Sequence, residues 1–175
     1  PISIVAVSFA AIFIRLSNSH PITIAFYRLL FSTIILSTLL PNHLDEIKGI
    51  NRREMTVFIT TGFLLAIHFA AWISSLNFTS VASSVVLVTT HPLVVAWISS
   101  WYLDEKTSKK GYVAIILALV GVVVMTFSDY NLSGWTLFGD LLAIIGMLAV
   151  AGYIIRGREM RRKFSTVTYS FMVYS

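Results

Sequence analysis

Residues 66–97 read AIHFAAWISSLNFTSVASSVVLVTTHPLVVAW. This stretch predicts two membrane helices joined by a short uncharged turn, and each helix carries one histidine near its middle. Apolar membrane helices seldom keep His, Trp, Ser, Thr and Pro unless these side chains face a cavity or another helix. We therefore interpret this pair of helices as the lining of a pathway through a membrane.

The composition supports a polytopic membrane protein. Hydrophobic residues make up 57% of the chain and charged residues 12%, whereas about a quarter of the residues in a soluble domain are charged. The net charge of +5 comes from short loops between apolar runs, where basic residues set membrane orientation. We therefore expect a lipid bilayer and no nucleic acid as partner. The chain has no cysteine, which excludes disulfides and thiolate metal sites.

Six apolar segments predict an all-α helical bundle with six membrane spans, and a seventh segment begins near Ser165. The apolar run of the first span, residues 2–13, would be about 18 Å long as a helix, which is short for a hydrocarbon core of about 30 Å. The seventh segment is cut off, so we expect the chain to be a fragment. The six predicted spans are residues 2–16, 21–40, 55–76, 81–102, 111–127 and 137–155.

Basic residues alternate between the loops. The loops after spans 2, 4 and 6 hold eleven Lys and Arg residues, whereas the loops after spans 1, 3 and 5 hold only Arg15. Because an excess of Lys and Arg marks the cytoplasmic side, we expect a multi-pass protein of the cell membrane (plasma or inner membrane) with a cytoplasmic N-terminus.

Span 3 carries two different stripes. Gly62, Ala66 and Ala70 repeat every fourth residue, a small-residue pattern that lets helices approach closely, and Gly139 and Ala143 give span 6 the same pattern. A second stripe on span 3 is polar and aromatic and lies roughly opposite the first. Its members are Thr61, His68, Trp72 and Ser75. We expect the small stripe to pack against a helix and the polar stripe to line a cavity.

Span 4 adds polar positions on or beside one of its faces. They are Ser84, Thr90 and His91. Pro92 has no amide hydrogen to donate to the carbonyl of Val88, so a kink is expected there, and we interpret Pro92 as a candidate hinge. The freed carbonyl needs another partner, which Thr89, Thr90 or a cavity water could supply.

Two runs of this chain resemble the first repeat of EamA-type drug/metabolite transporters. They read HPITIAFYRLLFSTIILSTLL at residues 20–40 and LNFTSVASSVVLVTTHPLVVAWISSWYLDEKTSKKGYVAIILALVGVVVM at residues 76–125. The positions that carry the match are Pro21 with Arg28 at its spacing, the pair His91-Pro92, and Glu105 followed by Lys106 and Gly111.

A third run, GDLLAIIGMLAVAGYIIRGREMRRKFSTVTYSFMVY at residues 139–174, resembles the start of the second repeat. The resemblance implies ten helices in two inverted five-helix repeats around a central substrate cavity. Residues 1–128 would form the first repeat, with five transmembrane helices, and residues 136–175 helix 6 and part of helix 7. It implies a secondary transporter. We expect no cofactor.

Arg28 lies about 10 Å inside one end of span 2. An arginine at that depth costs several kcal/mol unless it is paired or reaches the interface. One interpretation is an anchor for an anionic group such as a carboxylate, which a guanidinium binds in a bidentate way. The other is a structural arginine whose hydrogen bonds go to carbonyls at helix ends.

The two histidines allow alternatives as well. His68 with Trp72 fits a wall that contacts substrate, but a packed helix interface could use the same residues. His91 fits a proton-coupling site, because histidine titrates near physiological pH. A neutral histidine bonded to a neighbouring helix is the alternative.

The acidic residues receive structural interpretations. Asp104 and Glu105, beside Lys106, fit solvated charges at the membrane interface. Asp140 lies at the predicted start of span 6, where a carboxylate suits a helix N-terminus.

Three classes of function remain open. The first is a secondary transporter (a permease or exporter) that moves a small metabolite, amino acid or drug by alternating access. The second is a non-transporting scaffold or assembly subunit. The third is a membrane-embedded enzyme with His68 and His91 as metal ligands, which would need further ligands at similar depth; we expect no enzyme and no metal site. The substrate, the direction, the coupling ion and the oligomeric state are left open.

Overall fold

The structure is a computed structural model that describes residues 2–17, 19–102, 108–130 and 134–175. This part of the chain consists of helices and turns and contains no strand, which confirms the all-α prediction. A 3₁₀ turn, Leu40–His43, joins the second and third helices. The helices are α1 Ile2–Leu16, α2 Pro21–Leu39, α3 Leu44–Lys48, α4 Arg52–Ser75, α5 Val81–Thr89, α6 His91–Tyr102, α7 Lys109–Tyr130, α8 Gly134–Arg156, α9 Arg158–Lys163 and α10 Thr166–Tyr174.

Within the described residues, four helical segments are long and apolar enough to cross a membrane, so the chain is a multi-pass membrane protein. They are Pro21–Lys48, Arg52–Ser75, Val81–Trp101 and Gly134–Arg156. The 15 residues of α1 span about 22 Å, and the apolar part of α7, Lys110–Val124, is also shorter than those four. The total of six spans, the two repeats and the cytoplasmic N-terminus therefore stay predictions.

Local chemistry explains where the helices begin and end. α2 ends at Leu39 because Pro41, two residues on, has no amide hydrogen to continue an α-helix. α4 begins three residues before the predicted start, because Asn51 and Glu54 form a capping box. The Asn51 side chain accepts from the Glu54 amide at 3.0 Å, and the Glu54 carboxylate accepts from the Asn51 amide at 2.9 Å.

The centre of the bundle is the contact between α4 and α8. α8 also packs against α5, α6 and α7, while α4 packs against α2 and α10. A Cβ atom on Gly146 would lie 3.2 Å from the Trp72 amide nitrogen, and one on Gly139 would lie 2.7 Å from that of Thr79. The predicted packing of Gly139 and Ala143 is confirmed, since both are buried.

The structure corrects the prediction of which face of α4 packs against other helices and which face lines a cavity. A Cβ atom on Gly62 would lie 2.8 Å from the Val173 carbonyl oxygen of α10, so Gly62 does pack closely. However, Ala66 is exposed and Ala70 only partly buried. The polar stripe is the one buried in the bundle. The small residues that allow the α4–α8 contact lie on α8, so α4 can bring large side chains to it.

Candidate functional site

His68 joins α4 to α8. Its Nδ1–H donates to the Gly146 carbonyl oxygen at 2.8 Å, which fixes the imidazole tautomer and leaves Nε2 as the acceptor nitrogen of the neutral ring. The imidazole also stacks on the Trp72 indole, with ring centroids 5.9 Å apart and planes 10° from parallel. Gly146 is needed because a side chain there would meet the Trp72 backbone. The structure thus places His68 at a packed interface beside Trp72.

Three of the predicted cavity residues are fully buried. The Thr61 hydroxyl donates to the Val57 carbonyl oxygen at 2.6 Å within α4. The hydroxyls of Ser75 and Ser84 lie 2.6 Å apart and link α4 to α5. All three residues have 0% of their surface exposed. In this conformation none of the three presents a surface to a ligand, and only the Ser75–Ser84 contact joins two helices.

Arg28 lies on aromatic faces. Its guanidinium carbon is 4.6 Å from the centroid of Phe69 and 5.8 Å from that of Trp72. Cation–π contacts of this kind contribute about 0.5–2 kcal/mol, but they satisfy none of the five N–H donors of a guanidinium. Within the described ranges, no carboxylate lies within salt-bridge distance of Arg28. Phe69 was not predicted from the sequence, because a phenylalanine in an apolar helix carries no signal of its own.

Two polar side chains, Tyr174 and His68, interact with Arg28 electrostatically. Arg28 and His91 are both close enough to His68 to interact with it electrostatically. Trp72 is 7% exposed, and its Nε1–H has no hydrogen-bond partner among the residues the structure describes. A buried N–H without a partner costs about 1–3 kcal/mol, which an acceptor would recover. This cluster, which we call the Arg28 cluster (Arg28, His68, Phe69, Trp72 and His91), therefore suits an anionic or acceptor-bearing group.

The helix is interrupted at Thr90, two residues before Pro92, and the carbonyl that Pro92 cannot bond has two partners. α5 ends at Thr89 and α6 begins at His91. The carbonyl that Pro92 cannot bond, that of Val88, accepts from the Nδ1–H of His91 at 3.1 Å. The Thr90 backbone N–H also donates to the Val88 carbonyl oxygen, while the hydroxyls of Thr89 and Thr90 bond the carbonyls of Val85, Val86 and Leu87. His91 thus bonds the end of α5 across the junction, which neither of its two interpretations anticipated.

Asp140 binds the turn between α4 and α5. α8 begins at Gly134, so Asp140 lies inside the helix and not at its start, which corrects the predicted position. Its Oδ1 accepts from the Thr79 hydroxyl at 2.7 Å, and Asp140 is 1% exposed. Arg15 donates to the Thr79 carbonyl oxygen at 3.4 Å. Helix spacing alone cannot predict the Thr79 contact, because it depends on how two distant segments pack.

Three positions named from the sequence cannot be placed. Asp104, Glu105 and Lys106 lie outside the described residues. Among the residues that are described, no group of three or more His, Asp and Glu side chains could share a metal ion. His68 and His91 therefore have no third ligand in that part of the chain.

The opposite end of the bundle from Asp140 holds contacts that the sequence did not indicate. Lys163 forms an ion pair with Glu54. The Ser165 amide donates to Glu46 at 2.9 Å, and the Ser165 hydroxyl lies 3.1 Å from Nδ1 of His43. These contacts, which we call the clasp (His43, Glu46, Glu54, Lys163 and Ser165), join the segment that runs from the end of α2 to the first turn of α4 to the segment that runs from the end of α9 to the start of α10.

Comparison with known proteins assigns the chain to a family. The sequence pattern of the EamA-like transporter family matches residues 2–127. The uncharacterized transporter YetK of Bacillus subtilis (strain 168) is 23% identical over 150 residues, which is 83% of this chain and 46% of YetK. The chain thus spans about half the length of this curated relative, and no solved structure matches it. Since the family pattern covers most of the sequence, the chain belongs to the EamA-like transporter family.

Proposed function

We propose that the full-length protein is a secondary transporter, a permease or exporter that moves a small metabolite, amino acid or drug across the cell membrane by alternating access. Family membership supports transport over the membrane-enzyme alternative. The observation that carries the proposal is the environment of Arg28. An intramembrane arginine on two aromatic faces, with no carboxylate beside it in the described part of the chain, keeps its donors for a ligand.

The Arg28 cluster suggests how a substrate is bound. The guanidinium binds the anionic group, most favourably a carboxylate in a bidentate way, and Trp72 Nε1–H donates to the same group or to a neighbouring acceptor. The flat or apolar part of the substrate contacts the rings of Phe69 and Trp72. Binding then costs little reorganisation, because His68 already fixes the Trp72 ring by stacking.

The interruption between α5 and α6 supports a conformational role. Pro92 removes one backbone hydrogen bond, and the bond from His91 that replaces it comes from a side chain. A rotamer change of His91 would break this bond and loosen the junction. His91 is therefore placed to link the state of the Arg28 cluster to the angle between α5 and α6.

One observation favours the scaffold alternative. The α4–α8 contact is built on small residues and on a buried polar stripe, as expected for a permanently packed protein. The scaffold hypothesis predicts that this contact never opens, whereas alternating access requires helices around the Arg28 cluster to move.

Flux measurements with the full-length protein distinguish these functions. Proteoliposomes would be tested for uptake and efflux of a labelled panel of small carboxylates, amino acids and cationic drugs. We expect saturable flux of at least one carboxylate-bearing compound, reduced about tenfold by Trp72→Phe, which keeps the ring and removes one hydrogen bond to a charged group. Trp101→Phe is the control, because Trp101 is 88% exposed. If folded protein moved nothing on the panel, the scaffold hypothesis would replace the transporter.

A further inference from the structure

A groove runs between α4 and α8 toward α9, on the same end of the molecule as the clasp. Its volume is about 1040 Å³. One part of its lining is apolar and includes Ile59, Phe63 and Leu64, and the other part carries Arg156, Arg158, Glu159 and Arg162.

The apolar part has the shape of a trough. A Cβ atom on Gly152 would lie 3.3 Å from the Leu64 side chain, so α4 and α8 nearly touch there and form its floor. Ile59 and Phe63 lie one helical turn apart and are 65% and 67% exposed. They lie about 10 and 16 Å along α4 from Arg52, by the rise per residue. With Arg52 at the headgroups, Ile59 and Phe63 lie in the acyl-chain region, because the interfacial layer is only about 5–8 Å thick on each side.

The charged part is strongly basic. α8 ends at Arg156, and Arg158 and Arg162 follow at i, i+4 spacing, so they share one side of α9. Glu159 is the one acidic residue in the described lining. Arg156 and Arg162 are exposed, and neither forms an ion pair in the described ranges. These two guanidiniums are available to a ligand.

Neighbouring basic residues have other contacts. Lys163 pairs with Glu54. Arg161 donates to the Ile154 carbonyl oxygen at 2.6 Å and lies over the rings of Tyr153 and Tyr169. The positive charge offered to a ligand at this end of α8 is therefore concentrated at the groove.

We propose that the groove binds one anionic phospholipid, with its phosphate between Arg156 and Arg162 and one acyl chain along Ile59 and Phe63. Basic pockets between membrane helices bind anionic headgroups on the cytoplasmic side, and guanidiniums grip phosphate oxygens in a bidentate way. A free phosphate ion would use only the charged part, and a zwitterionic lipid would bring a cation to the arginines. Only an anionic lipid matches both parts. This proposal does not depend on the transported substrate.

The test is lipid binding to the full-length protein, measured by native mass spectrometry and by displacement of a fluorescent phosphatidylglycerol in detergent. We expect phosphatidylglycerol to be retained and phosphatidylcholine to be lost. R156Q with R162Q should weaken phosphatidylglycerol binding about 30-fold, since each basic residue near an anionic lipid contributes about fivefold. R52Q is the control, because Arg52 is an exposed arginine at the same end and outside the groove. Its effect should stay below about twofold.

A second variant tests the apolar part without changing charge. Thr60 lines the groove and is exposed, so T60W narrows the trough and should weaken lipid binding while the protein elutes as the same species on size exclusion. The proposal is overturned if R156Q with R162Q retains phosphatidylglycerol as the wild type does, or if phosphatidylcholine binds equally well. It is also overturned if millimolar inorganic phosphate displaces the lipid. If T60W lowered the stability of the protein without weakening lipid binding, another part of the protein would cover the groove. That result would also overturn the proposal.

Discussion

At the scale of single residues, polar side chains inside the bundle are used in two ways. Thr61, Ser75 and Ser84 satisfy their hydrogen bonds within or between helices and are fully buried. In the described part of the chain, Trp72 keeps a buried N–H without an acceptor, and the half-buried Arg28 has no carboxylate within salt-bridge distance. Buried donors without acceptors are uncommon and mark sites where a ligand or water completes the bonding. The second group is therefore the better candidate for substrate contact.

His68 provides a test of the α4–α8 hydrogen bond. His68→Phe keeps the ring on Trp72 and removes the Nδ1–H that Gly146 accepts. We expect the free energy of unfolding to fall by about 0.5–2 kcal/mol, the range of interhelical hydrogen bonds in membranes. Denaturant unfolding of the full-length protein in detergent measures the change. His68→Gln, which retains an N–H donor, should recover part of the loss. Equal stability of the Phe variant and the wild type would contradict this role.

The sequence predicted the central residues of the Arg28 cluster but not their surroundings. Arg28, His68 and Trp72 are recognisable because charged, ionisable or N–H-bearing side chains are costly within apolar helices. Phe69 beneath Arg28 and the Gly146 carbonyl beside His68 are ordinary components of apolar helices. Their roles come from the pairing of α4 with α2 and α8, which local sequence does not encode.

At the scale of helices, the glycines of α8 determine how closely this helix packs against α4 and the turn that follows α4. Gly139 and Gly146 lie against backbone atoms of the α4–α5 turn and of α4. Backbone atoms cannot move aside as a flexible side-chain end can, so these glycines fix the distance between the helices. His68 and Trp72 fit into the contact only at this distance.

Replacing glycine by alanine usually stabilises a helix. At Gly139 and Gly146, alanine should destabilise the protein instead. Gly139→Ala would place a Cβ atom 2.7 Å from the Thr79 nitrogen and should destabilise the protein by about 1–3 kcal/mol. Gly121→Ala in α7 is the matched control, because nothing lies within 4 Å of its added Cβ atom. Alanine there should be neutral or stabilising by up to about 1 kcal/mol. The thermal midpoints of the two variants give the comparison, and equal shifts would contradict the packing account.

Helix positions were more predictable than helix faces. Hydrophobic runs and Pro92 are local signals, and they place the helices within a few residues of the structure. The sequence predicted the packed face of α4 wrongly. Both the small-residue stripe and the polar stripe of α4 favour contact with protein over contact with lipid. Which stripe packs depends on the small residues of α8, far away in the sequence.

At the scale of the whole molecule, the clasp and the Thr79–Asp140 contact tie opposite ends of the bundle. The clasp joins segments that are more than 100 residues apart in sequence. Thr79 and Asp140 join the turn after α4 to α8 at the other end. Alternating access would require each end to open in turn, so these contacts are the natural candidates for the two gates.

The clasp can be tested by accessibility. Met160 lies beneath it and is 3% exposed. Glu54→Gln removes the ion pair with Lys163, so a cysteine at position 160 should react several-fold faster with a membrane-impermeant thiol reagent. Asp45→Asn is the control, because Asp45 and Lys48 form an exposed pair at 3.9 Å that contributes little. If Glu54→Gln left the reaction rate unchanged, as the control Asp45→Asn should, the clasp would not hold this end closed.

The central claim is that Arg28 binds the anionic group of the substrate. The most direct test compares the uptake of one transported carboxylate with the uptake of its uncharged methyl ester. We predict that Arg28→Gln lowers carboxylate uptake by the full-length protein about 10–100-fold, the loss expected for a hydrogen bond to a charged group. Arg28→Lys should recover part of it, and ester uptake should change little. Carboxylate uptake that is unaffected by Arg28→Gln, in protein that unfolds like the wild type, would contradict the account.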